Sequence, residues 1–208
     1  GRTDATNNKG SGVRINSRGG VVEDCVLTDN CAPCGGAGSY VTFRRCRIPQ
    51  NRAPHYGSAS RHGAFEGCYV AGNLGRWVVD VFSNVINCTF SGNTLDGSTS
   101  TILFTNGDAG GQIVNVLCVG KISDNMAGCA NSDFRNCVFP SNMTITHSRT
   151  FDQINQEHTG AELEAMYANG VPLSLEAPSV DKGCVVEPLP ACDLAGNQRI
   201  MNGTIDIG

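Results

Sequence analysis

Glu66-Gly67-Cys68-Tyr69-Val70-Ala71-Gly72-Asn73 is one of several near-copies of a single phrase. Val22-Glu23-Asp24-Cys25-Val26-Leu27-Thr28-Asp29-Asn30 precedes it, and Arg44-Arg45-Cys46-Arg47-Ile48-Pro49-Gln50-Asn51 stands between them. Ile86-Asn87-Cys88-Thr89-Phe90-Ser91-Gly92-Asn93 and Arg135-Asn136-Cys137-Val138-Phe139-Pro140-Ser141-Asn142 follow, and Cys118 marks a looser copy. The cysteines Cys25, Cys46, Cys68, Cys88, Cys118 and Cys137 are separated by 21, 22, 20, 30 and 19 residues. An apolar residue stands three positions before most of them (Val22, Phe43, Phe65, Val85, Phe134), another two after, and Asn five after.

A period near 20 built from short β-type pieces predicts a solenoid whose coils stack at the strand-pairing distance of about 4.8 Å. Equivalent residues then form columns along the axis. The apolar columns face inward. The Asn column belongs at a tight bend, where Asn tolerates left-handed backbone and its amide bonds the neighbouring coils. Leucine-rich repeats have a similar length but require several leucines per repeat, which are missing here. The fold class expected is all-β, a right-handed parallel β-helix of about 20-residue coils with one short helix and an irregular C-terminal cap.

The coils occupy residues 1–150. Gly12-Val13-Arg14-Ile15-Asn16 reads as an earlier coil, and 94–112 as an insertion with a strand at Thr101-Ile102-Leu103-Phe104. Residues 151–208 supply the helix and a capping segment of the same domain. Thr159-Gly160-Ala161-Glu162 is a capping box opening a helix to about Asn169, ended by Gly170. Such a cap is expected because an open coil end exposes unpaired backbone.

The 208 residues carry a net charge of −4, with 13 Lys/Arg against 10 Asp/Glu in 1–150 and 2 against 9 in 151–208. That balance gives no pull toward nucleic acid or an anionic membrane. No apolar run is long enough to span a bilayer as a helix. A chain beginning at Gly1 and stopping at Gly208 reads as a mature or trimmed piece of something longer.

The tail carries a more specific signal. Ala177-Pro178-Ser179-Val180-Asp181-Lys182-Gly183, then Asp193-Leu194-Ala195-Gly196-Asn197-Gln198-Arg199 and Gly203-Thr204-Ile205-Asp206-Ile207-Gly208, resemble the closing elements of bacterial choice-of-anchor Q surface proteins. Gln198 stands where that family has Pro. The resemblance implies a right-handed β-helix of the pectin-lyase-like superfamily and an extracellular or cell-surface address.

Eleven cysteines raise metal and disulfide readings. Parallel side-chain vectors favour stacked thiols in the repeat column. Cys184 and Cys192 flank a proline-rich loop and are expected to pair. Cys31-Ala32-Pro33-Cys34 has no second pair to complete a zinc site, so no metal and no cofactor is expected.

Function belongs to what interrupts the repeats. The loop Ala53–Gly63 holds His55, Tyr56, Arg61 and His62, and Arg76, Trp77 and Asp80 fall one coil on. A polysaccharide lyase needs a base beside a uronate and a cation on its carboxylate. His55, Arg61, His62, Arg76 and Asp80 are therefore the candidate catalytic residues. Tyr56, Trp77, Arg47 and Arg52 are the candidates for substrate binding. Arg44, Arg45, Arg47, Arg52 and Arg61 suggest a basic strip for acidic glycan, although Glu23, Arg44 and Glu66 on successive coils also read as a solvated ladder of alternating sign. Glycoside hydrolysis needs two carboxylates roughly 5 to 9.5 Å apart, for which Asp80 and Asp108 are the suggestive acids. The leading expectation is a non-catalytic surface module with a structural, adhesive or glycan-contacting role, able to form fibres by end-to-end stacking of open coils. The alternative is a polysaccharide lyase or glycoside hydrolase acting on an acidic polysaccharide.

Overall fold

The computed structural model describes residues 12–14, 20–80, 84–96, 101–104, 111–119, 128–143, 146–168, 171–186, 192–194, 198 and 205–208. Its chain winds as a parallel β-solenoid with three sheets running along the axis. The longest sheet stacks Gly20–Glu23, Val41–Arg44, Ala64–Glu66, Asn84–Ser91, Gln112–Val119, Gly128–Val138 and Thr146–Asn155, all parallel. A second sheet holds Arg52–Ala53, Leu74–Gly75 and Thr94–Leu95. The third holds Val13–Arg14, Gly38–Ser39, Ser60–Arg61, Trp77–Asp80 and Thr101–Phe104. Val13–Arg14 of the expected earlier coil and Thr101–Phe104 of the insertion are thus both strands. Ile15, Asn16 and Asp108 lie outside the described residues.

Pairing by register puts like on like. Val22, Phe43, Phe65, Val85, Ile113 and Phe134 form one column, and the Phe43 and Phe65 rings stack at 5.3 Å. Short strands suffice because each rung is hydrogen-bonded on both sides and its apolar alternates point into one narrow core.

Two expectations about the columns are corrected. Cys118 is not the sixth copy of the repeat cysteine. The register opposes Cys88 to Val116 and Phe90 to Cys118, so Cys118 sits in the next apolar column. Nor does the Asn column carry the left-handed backbone. That geometry belongs to the residue before it, at Asp29, Gln50, Gly72 and Gly92. The asparagines turn inward instead. Asn30, Asn51 and Asn73 each donate their backbone N–H and Nδ2 to the Oδ1 of the next Asn in the series, ending at Asn93, over 2.8–3.1 Å.

A second bend, one residue before each repeat cysteine or the residue that takes its place in the column (Val116, Ile154), is also left-handed: Asp24, Arg45, Gly67, Asn87, Asn115, Asn136 and Gln153 all have φ between 46° and 62°. Its C-terminal half is an amide ladder of its own. Asn115 Nδ2 donates to Asn87 Oδ1 at 2.7 Å, and Asn136 Nδ2 to Gln153 Oε1 at 2.7 Å.

The tail docks on that second ladder. Asn115 Nδ2 donates to the Cys184 carbonyl at 2.6 Å and its Oδ1 accepts from Cys184 N at 2.9 Å, while Asn136 Nδ2 donates to the Lys182 carbonyl at 2.8 Å. Leu163, Tyr167, Ala177 and Ile207 complete a small apolar cluster over Leu117, Val119 and Val138. The capping segment therefore seals the flank of the solenoid. Helix Gly160–Met166 opens on the expected capping box, with Thr159 N donating to Glu162 Oε2 at 2.7 Å. It ends earlier than expected, because Tyr167–Ala168 leaves the helix to pair antiparallel with Val171–Pro172. No described helix is long and apolar enough to cross a membrane.

Cys184 and Cys192 carry free thiols, so the expected tail disulfide is not formed. Repeat thiols donate to main-chain carbonyls instead: Cys46 to Val22 and Arg44, Cys68 to Phe43 and Glu66, Cys137 to Ile113 and Arg135, over 3.2–3.5 Å. Burial pushes the Cys137 thiol up to about 12. With an aromatic disulfide reagent, exposed Cys25, Cys31 and Cys192 should react at once in native protein. Cys46, Cys68, Cys88 and Cys137 should wait for denaturant. Mass-spectrometric mapping that finds native Cys68 modified at the rate of Cys25 would contradict this core.

Candidate functional site

The loop after Asn51 and the strand Trp77–Asp80 lie on successive coils, one above the other. Their register opposes Ser60 to Val79 and Arg61 to Asp80. The chain reverses tightly at Gly57, φ 61°, where a Cβ would lie 2.1 Å from the Ser60 carbonyl oxygen. Only glycine fits there. The turn brings Tyr56 back over the same flank.

The result is a layered shelf. The Arg61 guanidinium lies 5.0 Å from the centre of the Tyr56 ring, and that ring is 4.8 Å from Trp77 at a tilt of 35°. Arg76 follows, 5.1 Å from the Trp77 ring. Cation–aromatic contacts of this kind contribute about 0.5–1 kcal/mol each at exposed sites, enough to orient rings that stay half open to solvent. His55 is exposed and tilts toward Tyr56 at 6.4 Å.

Asp80 anchors the stack from behind. Its side chain is 3% exposed, and Oδ2 is 3.2 Å from Arg61 Nε. Burial pushes its carboxyl up to about 6, against the opposing pull of the Arg61 charge. Cys34, fully buried and paired in register with Tyr56, adjoins the same two groups. Burial raises its thiol too, so it stays neutral.

Six of the nine candidate residues thus share one run of contacts: His55, Tyr56, Arg61, Arg76, Trp77 and Asp80. Three do not. The His62 ring turns the corner and stacks on Tyr40 at 4.6 Å and 12°, both residues holding left-handed backbone. Arg47 lies on strand Arg47–Pro49, which pairs with Tyr69–Ala71, and is 5.9 Å from the Tyr69 ring. Arg52 is exposed on the second sheet, opposite Leu74.

A continuous basic strip does not form. Arg44 Nε meets Glu66 Oε2 at 2.6 Å, and Arg45 grips Asp24 with two bonds of 2.8 and 2.7 Å while also reaching Glu23 at 2.8 Å. The alternating ladder neutralises these two guanidiniums, as the acids one coil before and after allow.

Tyr40 and Cys34 were not among the expected residues. Both follow the repeat period, since Cys34 and Tyr56, like Tyr40 and His62, are 22 apart. Carrying the columns through the loops would have found them. Among the described residues, no group of three or more His, Cys, Asp or Glu is arranged to hold a metal ion. No family model, curated protein or solved structure matches the chain.

Proposed function

We propose that this chain is an extracellular or cell-surface module of the right-handed, pectin-lyase-like kind, with a structural and adhesive role exercised through carbohydrate. The observation that carries the reading is the Arg61–Tyr56–Trp77–Arg76 shelf. Two aromatic rings stepped along a rigid flank suit the faces of consecutive sugar rings. The flanking guanidiniums suit hydroxyl and carboxylate groups at their edges. The surface-protein resemblance of the tail supports the address.

Trp77→Ala should weaken glycan binding by about 1.5–3 kcal/mol, roughly ten- to a hundredfold in Kd, as loss of a central aromatic anchor commonly does. Calorimetry against oligogalacturonate, alginate oligomers and cellohexaose provides the check. An intact protein that binds none of them at millimolar concentration refutes the reading.

The lyase alternative draws on one feature, the exposed His55 imidazole beside the Tyr56 phenol and the Arg61 cation. It requires unsaturated product absorbing in the ultraviolet from the same acidic oligomers, and loss of that signal in His55→Ala.

A further inference from the structure

We propose that Asp80 determines the specificity of this shelf: its carboxylate withholds the Arg61 guanidinium from a bound sugar acid, and neutralising it releases Arg61 to the ligand. The proposal rests on the glycan-contacting reading above and adds to it a ligand class, acidic glycans, and a condition for taking them.

The geometry is that of a weak restraint rather than a structural clamp. Arg45 shows what a clamp looks like in this chain, two aligned bonds onto Asp24. Arg61 has no such fork on Asp80. Its Nε lies 3.2 Å from Oδ2 but makes no aligned hydrogen bond, although the atom is buried. The Arg61 side chain is 24% exposed while that of Asp80 is 3% exposed. Asp80 therefore reaches a ligand only through Arg61, whereas Arg61 has one side toward solvent. Asp80 acts as a positioning residue.

Among the described residues, the charge that acts on Asp80 is that of Arg61. Its register neighbours are Arg61 on one strand and Phe104 on the other. From the loop packed against it comes Cys34, held neutral by burial. Burial also keeps the Asp80 carboxyl poised near neutrality, at about 6, even with Arg61 alongside. Above that pH the carboxylate is ionised and cancels Arg61. Below it the carboxyl is neutral and Arg61 carries an uncancelled charge. A sugar carboxylate, ionising in the α-carboxyl range of about 3.3–3.7, stays charged throughout. Acidification should therefore strengthen the binding of acidic glycans and leave neutral ones unaffected.

The test measures the affinity of an oligogalacturonate hexamer and of cellohexaose at pH 7.5 and pH 5 by calorimetry. In the unmodified protein the hexamer should bind about three- to tenfold more tightly at pH 5, the gain of one charge-assisted contact at a partly exposed site. Cellohexaose affinity should be the same at both. Asp80→Asn should bind the hexamer at pH 7.5 as tightly as the unmodified protein does at pH 5. His55→Gln and His62→Gln should retain the dependence, whatever they do to affinity itself. The chain has one tryptophan, so Trp77 emission reads the shelf without any ligand. It should titrate near pH 6 and be flat in Asp80→Asn.

Hexamer affinity that does not change with pH overturns the proposal. So does a pH dependence abolished by either histidine variant, or Trp77 emission that does not titrate in the unmodified protein. If Asp80→Asn fails to fold, the unmodified protein and the histidine variants decide by the same criteria. Emission that titrates as described, with no glycan bound at either pH, upholds the Asp80–Arg61 release and refutes the glycan reading alone.

Discussion

Asn73→Ala should lose about 3–5 kcal/mol of stability, more than any exposed substitution on the same coil. The side chain is fully buried and works in both directions along the axis. Nδ2 donates to the Ile48 carbonyl at 2.8 Å and to Asn93 Oδ1 at 3.0 Å. Oδ1 accepts the Asn51 N–H at 2.8 Å and Asn51 Nδ2 at 3.1 Å. Removing it leaves a buried main-chain N–H and a buried carbonyl without these partners, each costing about 1–3 kcal/mol, and adds a small cavity. Asn51 Nδ2 keeps its bonds to the Leu27 and Pro49 carbonyls, and Asn93 Oδ1 keeps the Asn73 N–H, so the loss is bounded. Asn30→Ala is the internal comparison. Asn30 is only half-buried, and its substitution should cost about 1 kcal/mol. Urea denaturation of both variants distinguishes a cooperative buried ladder from a decorative one. Equal losses for the two would contradict the ladder.

That ladder also marks how far the sequence could be read. A repeated Cys with apolar residues at −3 and +2 and Asn at +5 requires a solenoid of stacked coils, and the parallel sheets follow from it. The same pattern does not separate a bend residue from the residue beside it. Asn tolerates the left-handed backbone, yet Asp29, Gln50, Gly72 and Gly92 take it. Once the chain has reversed at that preceding residue, the Asn amide points into the core and meets the next one. The misplacement of Cys118 has a related cause. Cysteine is a conspicuous residue type but does not define the column, which runs through Ile113-x-Asn115-Val116, matching Val85-x-Asn87-Cys88 position by position.

The candidate site was legible in part for a different reason. Tyr56 and Trp77 are 21 apart and Arg61 and Asp80 are 19 apart, so one coil of offset brings each pair together. The direction of each side chain depends on local backbone geometry that spacing does not encode. His62 follows Arg61 directly in sequence, but with φ at 55° it turns around the bend onto Tyr40. The basic strip does not form because charges separated along the chain meet between coils, where Asp24 and Glu66 neutralise Arg45 and Arg44.

Phe65→Ala should cost about 3–5 kcal/mol and should silence the shelf before it unfolds the whole chain. Phe65 is fully buried, stacks on Phe43 and is opposed by Val85 on the next rung. In a solenoid each coil contacts mainly its neighbours, so stability is close to a sum of coil and interface contributions. Deleting this ring weakens two interfaces at once. The coil that begins with strand Ala64–Glu66 ends with Trp77–Asp80, so the shelf residues Trp77 and Asp80 ride on the damaged element. The tail, in contrast, is clamped to Asn115 and Asn136 on later coils. Trp77 emission should therefore report unfolding at lower urea in Phe65→Ala than amide exchange reports around Asn115. In the unmodified protein the two transitions should lie closer together. Phe134→Ala, which removes a ring on the far side of the Asn115 rung and in edge contact with Phe139, should reverse the order. A single coincident transition in both variants would mean that the coils fold as one cooperative block, and the local account of the shelf would fall.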